Sequence, residues 1–290
     1  MPRCLSDVRR TTQLRQLLAQ RTVALPGAFN AVVAKLIERE GFSACYISGA
    51  GLANGAGLPD VGLLTLTEVV AAAKFIAEAV SLPCICDADT GFGEADNAAR
   101  AVREFERAGI AGIHLEDQEF PKKCGHLEGK RLISVEAMCE KLAAAAAAKS
   151  DPDFLLIART DARAIEGLAA AVDRARRYLA AGADAIFPEA LTTKDEFGEF
   201  AAALQSSIVN PQSPILLANM TEFGKSPYLA VEEFEALGYR MVIFPMTAFR
   251  VMLRAVGEAL AELQKSGTQQ AMLDRMTTRQ ELYEILRYQG

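Results

Sequence analysis

Eight short apolar runs, each followed by a longer amphipathic stretch, recur along this chain, and no other feature limits its fold as much. The runs fall at Val23–Leu25, Ala44–Ile47, Cys84–Cys86, Gly112–Leu115, Phe154–Ala158, Ala185–Phe187, Ile215–Leu217 and Met241–Phe244. They are nearly continuous in apolar character, as strands covered on both faces are in a parallel sheet. The intervening stretches at Ala28–Glu40, Thr67–Val80, Glu94–Ala108, Val135–Ala148, Leu168–Ala181, Lys194–Leu204, Val231–Leu237 and Ala248–Gln264 read as helices. Gly109, Gly182 and Gly238 follow three of them, where a left-handed C-cap favours glycine. Strand–helix units in such a series predict a closed α/β structure, an (α/β)8 barrel. An open doubly wound sheet is the alternative, but no Gly-x-Gly-x-x-Gly follows the first strand. The length of 290 residues suits one barrel, and no shift of composition marks a linker, so 1–290 reads as a single domain. The C-terminal helices, about 246–290, are expected to serve oligomer packing; the amphipathic run Thr268–Arg287 either covers the barrel floor or reaches a neighbouring subunit.

A formal net charge of −6 argues against nucleic-acid or membrane-surface binding, which needs a basic face, while still allowing a local basic pocket for an anion. The cysteines at 4, 45, 84, 86, 124 and 139 form no Cys-x-x-Cys pair, so neither a disulfide framework nor a structural zinc site is expected. Cys84 and Cys86 share one face of a strand, where small-residue packing accounts for them. No signal-like apolar run occurs near the N-terminus and no run suits a membrane span, so a cytoplasmic protein is expected.

Polar residues gather just after the strands, where a barrel builds its active site from converging loops. Asp87 and Asp89 stand two apart at a strand end, with Asp60 and Glu116 close by; carboxylates so placed suit Mg2+, and helix capping is the structural alternative. Ser48-Gly49-Ala50 reads as a glycine-rich turn able to offer N–H groups to a carboxylate. Arg159 and Arg250 are candidate carboxylate forks. Glu189 could orient an arginine or a substrate hydroxyl. Lys122-Lys123-Cys124-Gly125-His126 sets a thiol between cations, which lower a thiol's pKa and suit a nucleophile, a sensor or an acid. His114, inside a strand, reads as a core histidine, and His126 as the functional one.

Taken together these stretches resemble the isocitrate lyase/phosphoenolpyruvate mutase superfamily. The likeness is carried by Leu58-Pro59-Asp60, Asp87-Ala88-Asp89-Thr90-Gly91-Phe92-Gly93, Glu116-Asp117-Gln118, the Lys122–His126 loop, Ala158-Arg159-Thr160-Asp161-Ala162, Phe187-Pro188-Glu189-Ala190, Asn219-Met220-Thr221-Glu222-Phe223-Gly224, Pro245 to Arg250 and Thr278-Arg279-Gln280-Glu281. The resemblance implies a homotetramer with a helix exchanged between subunits, and a required Mg2+ that Mn2+ can replace. It implies Asp87 and Asp89 as the metal site, with Asp60 and Glu116 in its outer shell. Ser48, Gly49, Ala50, Gly125, Arg159, Glu189, Asn219, Met220, Thr221, Arg250 and Arg279 become contacts to a small di- or tricarboxylate. Cys124 becomes the general acid, with Lys122, His126, Arg159 and Glu116 around the reaction. Cleavage of 2-methylisocitrate to pyruvate and succinate, in the methylcitrate cycle of propionate catabolism, is the implied activity; 2,3-dimethylmalate and other alkylmalates, or isocitrate, are the alternatives. Ala50 and Lys123 depart from the commoner residues at their positions. Phe187 and Ile243 stand where long isocitrate lyases carry Trp and Thr, leaving an apolar niche for a methyl group. Tyr46 and Glu116 are the candidates for the base that takes the hydroxyl proton.

Overall fold

The computed structural model of the protein describes residues 8–205 and 214–288; Cys4 lies outside them. Its strands are β1 (Val23–Ala28), β2 (Cys45–Ile47), β3 (Cys84–Asp87), β4 (Gly112–Glu116), β5 (Leu155–Thr160), β6 (Ala185–Pro188), β7 (Ile215–Asn219) and β8 (Met241–Phe244). Each pairs in parallel with the next, and β1 pairs with β8, so the sheet closes on itself in chain order. The predicted barrel is the observed one.

Side chains alternate between two cores because successive Cβ atoms on a strand point to opposite faces. Ile113, Leu115, Leu156, Cys84 and Cys86 point outward into the layer shared with the helices. Val23, Leu25, Tyr46, Ile85, Leu155, Ile157, Phe187, Leu217, Met241 and Ile243 fill the barrel interior. The described cysteines are all free, in keeping with the absence of paired spacing. Gly109, Gly182 and Gly238 have φ of 78°, 107° and 89°, the left-handed backbone their capping positions demand.

Three helical pieces go beyond the sequence reading. Arg10–Gln20 forms a helix whose Leu14 and Leu18 are buried with the interior cluster. This helix, not the C-terminal run, covers the floor. Arg10 anchors it by donating to the carbonyls of Ala77 and Val80 at 2.7 and 2.6 Å. Gly49–Gly55, expected as a turn, is a helix capped by Ser48, whose Oγ accepts from Gly51 N at 3.1 Å. Arg163–Glu166 adds one short turn. The run 268–287 is not continuous either: a 3-10 turn at Gln270–Arg275 precedes a helix at Arg279–Leu286, which packs beside Ala31–Arg39. The helix Thr247–Ser266 meets the barrel beside β1, where Phe249, its sole buried residue, packs on Phe29.

Candidate active site

The C-terminal ends of the strands bring the acids together. Continuing the inward alternation past the apolar layers gives Ser48 after β2, Asp87 on β3, His114 and Glu116 on β4, Arg159 on β5, Glu189 after β6 and Asn219 on β7. Asp87 Oδ1 accepts from Asp89 N at 3.0 Å, which ties the turn Asp87–Asp89 to itself. The capping alternative is not realised, since the following helix, Ala95–Arg107, begins at Glu94 without a side-chain cap. Clearance beside the acids comes from Gly49: a Cβ there would lie 2.6 Å from Asp87 Oδ2. Gly91 and Gly93 supply the positive φ of the turn, 90° and 146°.

Lys122 sits inside this acidic group. Its Nζ pairs with Asp60 and lies 2.8 Å from Asp89 Oδ1. Burial would strip its proton, but Asp89, Glu116, Asp87 and Asp60 hold the ammonium charged well above its usual range. Burial raises the carboxyls of Asp87 and Asp89 despite that cation. Burial likewise pushes Glu116 well up; Arg159 Nη1, 3.3 Å from its Oε2, and Lys122 oppose this in part. Neither oxygen of Glu116 accepts a hydrogen bond.

These residues fit a hard divalent cation. The donors are all carboxylate oxygens, and Glu116 keeps both of its oxygens free of hydrogen bonds in a buried setting. Among the described residues no three His, Cys, Asp or Glu side chains converge to cage an ion by themselves.

Cys124 lies in the loop between β4 and the helix Val135–Ala148. The expectation that its lysines lower the thiol pKa is corrected. Burial, with Glu189 and Asp60, raises it, outweighing the His126 N–H and Arg159. Lys122 is spent on the carboxylates, and Lys123 reaches outward to the Glu128 carbonyl at 3.4 Å. The group is therefore a thiol at neutral pH, the form a proton donor needs. The loop is pinned at its base, where Gln118 exchanges hydrogen bonds with Lys123 N and O at 3.0 and 2.8 Å.

Arg159 is held from three sides. Its Nε and Nη2 donate to Asp161 at 3.0 and 3.2 Å, Nη1 lies 3.5 Å from Glu189 Oε2, and the guanidinium sits 5.2 Å from the Phe187 ring centre. Glu189 has His126 Nε2 at 2.9 Å and accepts from Asn219 Nδ2 at 3.3 Å. Burial would raise it, yet Arg159, His126 and Lys130 hold it well below the carboxylate range. His126 Nδ1 accepts from Lys225 N at 2.9 Å, joining this loop to the one after β7. A Cβ on Gly125 would come 2.4 Å from Arg159 Nη2, so that position needs glycine for close approach.

The rim residues divide. Met220 is buried and Thr221 half-buried in the loop after β7. Arg250 lies over the Phe223 ring at 5.3 Å and 3.4 Å from Glu222, with 44% of its side chain exposed. Ala50 is half-buried in the first turn after Ser48. Arg279 is not brought to this mouth: it is exposed at the start of the last helix.

Two groups at the mouth were misread or missed. His114 is not a satisfied core histidine: Nε2 lies 2.9 Å from Tyr46 Oη and 3.7 Å from Asp87 Oδ1, and Nδ1 has no partner. Burial and then Arg159 depress its pKa to about 3, so the imidazole is neutral. The signal was the two-residue alternation, since His114 shares a face with Glu116. Lys130, outside every motif, is paired at 2.7 Å with Asp161 of the Ala158–Ala162 stretch, and both are buried. Behind them Asp117 accepts from Thr160 Oγ1, Asp161 N and Tyr178 Oη at 2.7, 2.9 and 2.8 Å; burial raises its pKa to about 6.

Known proteins share this architecture. The family described as phosphoenolpyruvate phosphomutase matches residues 14–264. A 2-methylisocitrate lyase of Aeropyrum pernix is 50% identical over 276 residues, covering 95% of this chain and 86% of that protein. The crystal structure of a 2,3-dimethylmalate lyase superposes with a TM-score of 0.88 at 33% identity, covering 96% of this chain and 92% of that one. A phosphonopyruvate hydrolase, solved in complex with oxalate and Mg2+, gives 0.84 at 32% identity over 96% and 95%. The chain belongs to the phosphoenolpyruvate mutase/isocitrate lyase superfamily, and within it to the carbon–carbon lyases grouped with the 2-methylisocitrate lyases.

Proposed function

We propose that the protein is a Mg2+-dependent lyase that cleaves 2-methylisocitrate to pyruvate and succinate, with Cys124 as general acid. The observation that carries this reading is a half-buried thiol with a raised pKa in the same mouth as the acidic cluster and the Arg159–Glu189 pair. Asp87 and Asp89 would hold the metal, with Asp60 and Glu116 beside them. When bound, Mg2+ supplies Lewis-acid charge to the hydroxyl and carboxylate oxygens of the pyruvate half. Arg159 adds positive charge to that half, kept in place by Asp161. Loss of the hydroxyl proton lets the oxygen electron pair become the pyruvate carbonyl while the C–C bond breaks. The released electron pair lands on the succinate carbon, and Cys124 gives it a proton. Of the two candidate bases Glu116 is favoured: its oxygens accept no hydrogen bond and burial raises its proton affinity, whereas Tyr46 is engaged with His114.

Residues 1–290 are read as one barrel domain in a cytoplasmic protein; no helix among the described residues is long and apolar enough to cross a membrane. Val251, Leu253, Val256, Leu260 and Leu263 are exposed on Thr247–Ser266, which supports a homotetramer built by exchange of that helix. Arg279, distant from its own mouth, then serves a neighbouring copy as a substrate contact. Sedimentation giving a monomer at micromolar concentration would overturn the assembly.

The activity is tested by coupled pyruvate formation from 2-methylisocitrate, isocitrate and 2,3-dimethylmalate. Preferred turnover of 2-methylisocitrate, abolished by EDTA and restored by Mg2+ or Mn2+, is expected. Equal or faster turnover of 2,3-dimethylmalate would shift the assignment to that lyase, whose solved structure superposes well. Turnover unaffected by EDTA would remove the metal.

A further inference from the structure

Lys130 closes the far end of the Cys124 loop, two residues before Leu132 bridges back to Gln118. Its side chain is 2% exposed, yet it carries an ammonium into a site already crowded with charge. That ammonium has two partners. One is Asp161 Oδ1 at 2.7 Å, on the carboxylate that clamps Arg159 through Nε and Nη2. The other is the carbonyl oxygen of Gly125. That carbonyl belongs to the residue next to Cys124 in the loop. A single cation thus links the strand carrying Arg159 to the loop that carries the thiol.

We propose that Lys130 is a positioning residue, a latch that holds the Cys124 loop over the mouth by binding the Gly125 carbonyl. An ammonium buried for packing alone carries a large desolvation cost. Here that charge meets a carboxylate already committed to Arg159 and a carbonyl of the loop, so part of its pairing is lost if the loop lifts away. Lys130 also helps keep Glu189 ionised, with Arg159 and His126, so the latch and the substrate-facing charges lie in one field. Cys124 itself feels Arg159 on β5, Glu189 just past β6 and Asp60 in the loop after Gly49–Gly55.

The kinetic arm of the test rests on the lyase activity proposed above, while the exchange arm does not. Lys130→Met in the full chain should accelerate backbone amide exchange across 122–129 at least tenfold, with strand amides unchanged. Turnover of 2-methylisocitrate should fall at least tenfold while KM changes less than threefold, because closure and not ground-state contact is lost. Lys130→Arg, which keeps the charge, should restore turnover to within threefold of the parent. If Lys130→Met does not give folded protein, Lys130→Gln is read in its place. Parental exchange rates across 122–129 in the neutral variant overturn the latch, whatever the substrate proves to be. A chain inactive on 2-methylisocitrate but with accelerated loop exchange in the variant upholds the latch and overturns only the activity.

Discussion

The two ends of the barrel use the same eight strands to opposite effect. At the floor, Leu14 and Leu18 enter an apolar interior, and Arg10 and Arg15 are satisfied by backbone carbonyls and by Asp184. At the mouth, Asp60, Asp87, Asp89 and Glu116 crowd around Lys122, burial raises the carboxyls of Asp87, Asp89 and Glu116, and Glu116 has no hydrogen-bond donor. One end is satisfied by its own hydrogen bonds and ion pairs; the other holds buried charge at a cost. Stability and activity should therefore separate along the barrel axis.

The sharpest break between the ends is expected at Cys124. Cys124→Ser should lower turnover about 10³-fold, about 4 kcal/mol of transition-state stabilisation, while the melting temperature stays within one or two degrees by scanning calorimetry. Retained turnover would end its assignment as the acid. The mirror image lies at the floor, where Leu14 is fully buried. Leu14→Ala should cost about 3 kcal/mol in urea unfolding and leave kcat and KM within twofold. A large kinetic effect there would show that the ends are coupled. A smaller test is Glu116→Gln: it removes a buried charge and leaves Arg159 with Asp161 and Glu189. It should gain about 1 kcal/mol of stability while losing turnover, and a destabilised variant would contradict the comparison.

The smallest effect is a null. His114 has its pKa depressed to about 3, first by burial and then by Arg159. Its imidazole resonances should not titrate between pH 5 and 8. The folded chain refuses a proton that the unfolded chain accepts below about pH 6.5. This group therefore costs about 1.4 kcal/mol of stability per pH unit as pH falls from there toward the folded value. Asp117 works in the opposite direction: its carboxyl, raised to about 6, gains stability for the fold as pH drops toward the ordinary aspartate value. Between pH 6 and 4 the two offset each other, and Asp117→Asn should expose the His114 slope in pH-dependent unfolding.

The barrel was legible because each strand is buried on both faces and its helix on one, a pattern that survives without tertiary information. Arg10–Gln20 escaped because only Thr11, Leu14 and Leu18 face inward on an otherwise polar segment. Gly49–Gly55 escaped because glycine disfavours helix; the close approach to Asp87 overrides that propensity. At the mouth, residue types and strand-end positions pointed to the acids, Arg159, Glu189 and the Cys124 loop. Local charge did not predict the thiol's proton affinity, because the cation next to it in sequence is paired elsewhere in space. Sequence adjacency also gave no hint of Lys130, whose pairing with Asp161 joins the loop after β4 to the end of β5.

The floor helix has one more consequence. With Leu14 and Leu18 closing one end and Tyr46, Phe187 and Ile243 filling the interior, molecules reach the acidic cluster only from the mouth, the side that carries the Cys124 loop. On the proposed reaction both fragments would share that one exit and leave in turn. The second to go would then set how soon the next substrate enters.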